Sequence, residues 1–392
     1  MSRVAAFSVL LALLAAVYQL YVSPVLVKLG RGRVIQPTDN SNCKKVPELA
    51  ACEKIVVHES TGLLFLACSS PASRALWVPA TMQLNASGPN IDYLATYDPS
   101  NGAITRFSLP MTLQTHGMDV VPSETDPGAA YLYAVNHRKP ANIDDAPTVG
   151  ADSTIEVFLV PRVAPGESTI THLRTVRHPL VFTPNDVVGS ADGRSVFFTN
   201  DYASKTSSLR RLAPFGFSPG SIGFCSFPSN DAETDCKLVA SSVPGVNGIT
   251  RARTPGNDTF FVSQAPLNLV SVFERQQDNA LLKVHEIPTP GGVDNLSVDS
   301  EGVVWGAGIP SILALLAHIR NPTLASPSSA LAITKNVGAG SFYGEKFTVH
   351  KVFEDDGTVT PGTTTVAHDA KRGLLFIHGI CSPQLTVCKM DK

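Results

Sequence analysis

Residues Pro184–Asp201 read PNDVVGSADGRSVFFTND. An Asn-Asp pair, flanked by Pro184 and by Val187-Val188, stands at the mouth of a short strand. Ala191-Asp192-Gly193-Arg194 makes a tight turn, and Ser195-Val196-Phe197-Phe198 leaves as an apolar strand. The pattern recurs along the chain. Gly62–Phe65, Ala130–Tyr133, Thr259–Phe261, Gly302–Trp305 and Gly373–Phe376 are further turn-then-aromatic strands. Roughly ten to seventeen positions before each aromatic residue, a polar residue heads an apolar run: Glu53, His116, Asn185, Asn247, the pair Asp294-Asn295, and Thr364. In a β-propeller the innermost strand of every blade starts near one central axis, so equivalent positions converge. The repeat therefore predicts an all-β, six-bladed β-propeller with a ring of six polar positions. A β-sandwich would give no reason for a polar residue to recur there. The intervals exceed the ~40–50 residues of regular propeller repeats, which loop insertions account for.

Composition agrees. Of 392 residues 43% are hydrophobic, enough for a large core, and 29 Gly with 29 Pro favour turn-rich β structure. A formal charge of −2, with no Lys/Arg stripe, argues against a nucleic-acid partner. Loops of low order are expected over 138–152, 205–235 and 321–346. Pro310–Ile319 is expected to form a helix packed on a blade, and Glu354–Gly357 a solvated turn.

Arg3 precedes an apolar run from Val4 to Val22, near the lower limit of a membrane span, with no small-residue cleavage site after it. Residues 1–34 are thus expected to be an N-terminal hydrophobic helix acting as an uncleaved signal-anchor with its stalk, and 35–392 the propeller. Lys28, Arg31 and Arg33 would by charge alone keep the C-terminal side cytoplasmic. The glycosylation sequons at Asn85 and Asn257, together with the cysteine placement, favour the secretory pathway, with the chain anchored facing the lumen or exterior or else secreted, and we prefer that reading. Of the seven cysteines, Cys225 and Cys236 bracket a polar loop and form a natural local disulfide. A bond between Cys43 and Cys388 would close the ring. Cys52, Cys68 and Cys381 read as small buried hydrophobes.

The ring residues define the chemistry. Calcium takes about six to eight oxygen ligands. Glu53 and Asp294 offer carboxylates, and Asn185, Asn247 and Asn295 offer neutral amides. Two carboxylates balance a divalent ion, while cysteine or paired-histidine spacings of the zinc type are missing from the sequence. His116 occupies the ring position of the second repeat and His137 follows its aromatic strand. A neutral imidazole beside a cation can take a proton from water. Neither a G-x-S-x-G nucleophile motif nor a phosphate-binding glycine loop occurs, which favours metal-assisted water attack on a small-molecule lactone or ester.

At these residues the chain resembles the serum paraoxonase/arylesterase family of calcium-dependent lactonases. The matching motifs are Thr115-His116-Gly117, Val135-Asn136-His137 with Ser153–Phe158, Pro184-Asn185-Asp186, Val246–Ile249 and Val293–Asp299. The ends match as well, at Asn42-Cys43 and Val387-Cys388. The resemblance implies a propeller with two axial calcium ions. One would be held by Glu53, Asn185, Asn247, Asp294 and Asn295, with His116 and His137 as a base dyad. The other would be held by Asp186, the Met118 carbonyl and an acid after Glu53. Here that acid is replaced by Lys54, which is expected to pair with Asp186 instead. Asn295 also opens a formal sequon with Ser297, and a glycan there would bar it from a ligand role. The alternatives are a propeller lactonase of the gluconolactonase type and a non-catalytic, membrane-anchored propeller that binds a partner.

Overall fold

In the computed structural model, which describes residues 3–216, 219–229, 233–252, 258–338, 341 and 344–390, six four-stranded antiparallel sheets surround one axis. From the inside outward, blade 1 is Lys54–His58, Leu63–Cys68, Tyr93–Tyr97 and Ile104–Arg106. Blade 2 is Thr115–Pro122, Ala130–Arg138, Asp152–Val160 and Thr171–Val176. Blade 3 is Pro184–Gly189, Ser195–Asn200, Pro219–Ser226 and Asp235–Pro244. Blade 4 is Val246–Arg251, Thr259–Gln264, Leu269–Arg275 and Leu281–Pro288, and blade 5 is Gly292–Val298, Val304–Ile309, Ser328–Lys335 and Phe347–Asp355. Blade 6 takes Thr365–Asp369, Leu374–His378 and Leu385–Lys389 from the C-terminal end of the chain, and its outer strand, Cys43–Val46, from near the other end.

The aromatic strands found by the repeat are the second strands of the six blades, buried between neighbouring sheets. Phe65, Phe198, Phe260 and Phe376 are almost wholly buried. At roughly 25 cal/mol per Å² of apolar surface removed from water, this interleaved packing is what holds blade on blade. The ring closes covalently, because Cys43 pairs in register with Cys388 and is bonded to it. The Cys225–Cys236 disulfide joins the outer strands of blade 3.

Several expectations are corrected. Cys52 and Cys68 are not isolated thiols but a disulfide, since the hairpin register that pairs Lys54 with Ala67 brings them side by side. Among the described residues only Cys381 is a free, buried thiol. The segment 205–235 carries a 3-10 helix, Ser208–Phe215, and a blade strand, Pro219–Ser226. That strand's low β-propensity hid it: Gly223 is required because a Cβ there would lie 2.2 Å from the Phe198 ring. Likewise 321–346 contains the strand Ser328–Lys335, and 138–152 contains the short helix Ala146–Val149. Glu354 and Asp355 are buried rather than solvated. Glu354 accepts from the Gln36 N–H and Lys351, and Asp355 caps the turn through Gly357, Val359 and Thr360.

The helix expected near 310 is Ile312–Arg320, with Ser311 as its N-cap. The N-terminal apolar helix, Arg3–Lys28, is long and apolar enough to cross a membrane by length and composition. Just beyond its end Leu29 packs, with Val25, against Ile309, Ile312, Leu315 and Ile319.

Candidate active site

One local device builds the site four times. In blade 2 the inner strand pairs Thr115 with Asn136 and then Met118 with Ala134, so His116-Gly117 face a single partner residue. Blade 3 does the same at Asn185-Asp186, blade 4 at Asn247-Gly248 and blade 5 at Asp294-Asn295. Two residues opposite one is a β-bulge, which bends the strand and re-aims the side chain. The ring dipeptides are these bulges. The residue opposite helps fill the gap in two of them. Thr199 Oγ1 accepts from the Asp186 N–H and donates to the Asn247 carbonyl of the next blade (2.6 Å). Ser263 Oγ accepts from the Gly248 N–H and donates to the Asp294 carbonyl (2.5 Å). Neighbouring blades are thereby stitched at the axis.

The inner strands approach so closely that two ring positions admit only glycine. A Cβ on Gly117 would lie 2.3 Å from the Asn185 carbonyl, and one on Gly248 would lie 2.7 Å from the Asp294 carbonyl. Blades 1 and 6 lack the bulge, and there Glu53 and Thr364 stand immediately before the inner strand.

Seven of the sequence-selected residues converge. Asn295 Nδ2 donates to Glu53 Oε1 (3.0 Å), and Thr364 Oγ1 donates to Glu53 Oε2 (2.6 Å). Asn185 Nδ2 donates to His116 Nε2 (3.2 Å), which lies 3.8 Å from Glu53 Oε1. Asn247 lies within hydrogen-bonding reach of Asp294. Glu53, His116, Asn185, Asn247 and Asp294 line one cavity of about 130 Å³. Its outer wall is apolar: Val78, Ile309, Ile312, Leu315, Ile319 and Ile380.

Three buried amide oxygens here, Asn185 Oδ1, Asn247 Oδ1 and Asn295 Oδ1, have no hydrogen-bond partner among the described residues. Buried acceptors left unmade are costly. Burial raises the Glu53 carboxyl, and burial together with the Glu53 charge raises Asp294 well above the carboxylate range. Two adjacent buried acids cannot both ionise easily without a counter-charge. Three orphan carbonyl oxygens beside two carboxylates fit a hard divalent cation. Among the described residues no group of three or more His, Cys, Asp or Glu is arranged to hold a metal; this donor set is rich in amides instead.

The two histidines meet, with ring centroids 5.1 Å apart. His137 is fixed by Ser153 Oγ at Nδ1 (2.9 Å), and its backbone carbonyl accepts from Trp77 Nε1 (2.8 Å). His116 Nδ1 and His137 Nε2 have no partner among the described residues. Burial first, and then positive neighbours, lower both rings: His116 lies well below 6.5 and His137 at about 3. Both are therefore neutral at pH 7, though weaker bases than a free imidazole.

Sequence reading missed the clamp on His116. Asp92 Oδ2 accepts from the Thr115 N–H (2.8 Å), and Arg74 Nη1 donates to the Thr115 carbonyl (2.6 Å). Both lie in insertions outside the repeat. Asp201, beside Asn185 at the cavity, was also missed; burial pushes it up to about 6, against the pull of Arg210.

The residues expected at a second ion are arranged otherwise. Lys54 Nζ lies 2.5 Å from Asp186 Oδ2, and burial outweighs the ammonium's pull to raise the Asp186 carboxyl. Met118 is the first residue back in register after the bulge of blade 2, and its side chain is core. Of the sequons, Asn85 is exposed, Asn257 lies outside the described residues, and Asn295 is 1% exposed and bonded to Glu53.

Comparison with known proteins gives a family model described as Arylesterase, matching residues 51–389. Human serum paraoxonase/arylesterase 1 is 23% identical over 90% of each chain. Bovine (Bos taurus) serum paraoxonase/arylesterase 2 is 25% identical over 89% of each chain. Among solved structures, a gluconolactonase from Xanthomonas campestris is 14% identical, covering 92% of this chain and 99% of that one, with a TM-score of 0.49.

Proposed function

The chain belongs to the arylesterase family, with which residues 51–389 align, and from that premise we propose that it is a calcium-dependent hydrolase of lactones and aryl esters. The observation that carries the reading is the set of three orphan amide oxygens converging with two charge-strained carboxylates. Glu53, Asn185, Asn247, Asp294 and Asn295 would hold the ion. When bound, such an ion supplies a Lewis acid that polarises the substrate carbonyl and steadies the developing oxyanion.

The chain's own groups do the rest. His116 Nε2 carries the lone pair now bonded to Asn185 Nδ2, and this lone pair takes the proton of the attacking water. The buried imidazole is a weak base, and an ion held by these ligands would supply the added acidity of the water that offsets it. His137, keyed by Ser153 and Trp77, supports the ring of His116 from behind. Val78, Ile309, Ile312, Leu315 and Ile380 receive the apolar part of the substrate and exclude bulk water. That wall favours the aryl or alkyl part of a lactone, while Thr81, Asp201 and Tyr202 are the polar groups at the same cavity.

The three disulfides suit an oxidising lumen or exterior, with the apolar N-terminal helix as the membrane anchor. Because Val25 and Leu29 rest on the helix that walls the cavity, the anchor would keep the cavity mouth close to the membrane. Hydrolysis of phenyl acetate and of a medium-chain lactone, abolished by chelator and restored by calcium, tests the proposal. Full activity in excess chelator would overturn it.

A further inference from the structure

The axis of the propeller carries a second charge cluster below the first. Lys54 opens the inner strand of blade 1, is 4% exposed, and turns its ammonium inward. Nζ lies 2.5 Å from Asp186 Oδ2 of blade 3 and donates to the Leu296 carbonyl of blade 5 at 3.2 Å. The same Asp186 oxygen accepts from the Ile249 N–H of blade 4 at 3.0 Å. One ammonium and one carboxylate thus tie together four of the six inner strands.

The charge count limits what else can sit there. Among the described residues, Glu53, Asp186 and Asp294 are buried carboxylates that feel one another's charge, while Asp119, farther down the inner strand of blade 2, accepts from the Val120 and Gly189 N–H groups. Nearby Arg74 faces Asp92 (3.4 Å), and Asp201 faces Arg210, so those charges balance outside the cluster. With Lys54 on Asp186, the remainder is Glu53 and Asp294, which a single divalent ion neutralises. A second divalent ion would have to displace the ammonium from Asp186 and would leave the buried axis strongly positive, a cost that burial magnifies.

We infer that the Lys54 ammonium is the permanent axial cation of this chain, standing in the place of a second metal ion, so that the protein takes up one divalent ion and keeps its propeller without it. The inference rests on the proposed calcium site for the first ion. It also divides the central channel. Lys54 lines a lower cavity of about 720 Å³, whose walls include Val56, Val120 and Val298 and none of the five proposed ligands, while the upper cavity excludes Lys54. The pair is the partition between them, and an acid in place of Lys54 would add a carboxylate beside Asp186 on the lower side.

The test is calcium stoichiometry by isothermal titration of the full chain, with thermal melts in calcium and in EDTA. The native protein should bind one ion and still melt cooperatively in EDTA. Lys54→Asp should bind one ion more than the native protein, and its melting temperature should become calcium-dependent. If native binds none and Lys54→Asp binds one, the catalytic-site reading and the count of one native ion fall, while the ammonium's place as the axial cation stands. Two tight ions on the native chain, or a Lys54→Asp variant that gains no ion, would overturn it. Should Lys54→Asp not fold, Lys54→Met decides. It should melt roughly 5 °C or more below native, and adding Asp186→Asn should recover most of that loss. A Lys54→Met variant that melts like the native chain would mean that the pair is idle.

Discussion

Asn295 Nδ2 reaches Glu53 twice, at Oε1 (3.0 Å) and at the backbone carbonyl (3.1 Å), so blade 5 orients the carboxylate that blade 1 supplies. Thr364 holds the other carboxylate oxygen from blade 6 at 2.6 Å. Neither donor brings full charge, and the carboxyl remains raised by burial. Glu53→Gln keeps the shape and removes the charge. Calcium affinity should fall by ~100-fold or more, beyond the effect of losing an outer partner alone. Without calcium the variant should melt at or above the native temperature, because a strained buried acid has been removed. Titration calorimetry and melts in EDTA read the two effects separately.

The base can be separated from the ion. His116→Gln should lower turnover of a lactone by ~10²–10⁴-fold, the range of general-base catalysis, while calcium binding stays near native. His137→Gln should cost less, since His137 acts through its neighbour, and its effect should vanish in a His116→Gln background. Native turnover in His116→Gln would mean that the imidazole moves no proton.

Much of this site was readable from the chain, and the limits are instructive. The polar ring positions stood out because each interrupts an apolar run at the same place in its repeat. That the dipeptides are bulges was hidden, because an alternating pattern carries no mark for a two-for-one register; Gly117 and Gly248, each directly after a ring residue, were the one hint. Arg74 and Asp92 were invisible because they lie in blade 1 insertions and act on the backbone of Thr115. The Cys52–Cys68 bond needed the hairpin register before it could be inferred. The strand Pro219–Ser226 was lost to its glycines, of which Gly223 is required by the Phe198 ring and Gly220 by Val246 and the Asn200 carbonyl.

Ring closure has a measurable weight. The Cys43–Cys388 bond spans 345 residues of sequence, and the Cys225–Cys236 bond spans 11. On the chain-entropy account the first contributes ~6 kcal/mol and the second ~3 kcal/mol. Paired Cys→Ser variants should therefore lower denaturation midpoints in that order, with blade 6 losing its outer strand first in the Cys43/Cys388 variant. Hydrogen exchange of Leu374–His378 and Leu385–Lys389 should accelerate selectively. Uniform exchange across all blades would mean that the bond does not act as the latch of the ring.

His378 sets an acid limit on the fold. It ends the second strand of blade 6, wholly buried, and donates through Nε2 to the Leu49 carbonyl of the entry segment (3.0 Å). Its Nδ1 accepts from the Gly379 N–H at 2.8 Å. Both nitrogens are used by the neutral ring, and a proton on Nδ1 would trade the Gly379 N–H for the Gly379 carbonyl, 3.1 Å away. Burial, opposed only partly by the backbone bonds, lowers the ring to about 4 from 6.5. Above pH 6.5 neither the folded nor the unfolded chain protonates this histidine, and its contribution to stability is fully present. Between 6.5 and 4 the unfolded chain takes a proton that the folded chain refuses, so stability falls as the pH falls. At 1.36 kcal/mol per pH unit, the loss by pH 5 is roughly 2 kcal/mol. His116, His137 and His318 are lowered too and tilt the profile the same way. The comparison must therefore be made between the native chain and His378→Gln, whose amide can keep the bond to Leu49. Urea denaturation at pH 7 and pH 5 should show the variant losing about 2 kcal/mol less than the native protein, and equal losses would remove His378 from the acid response.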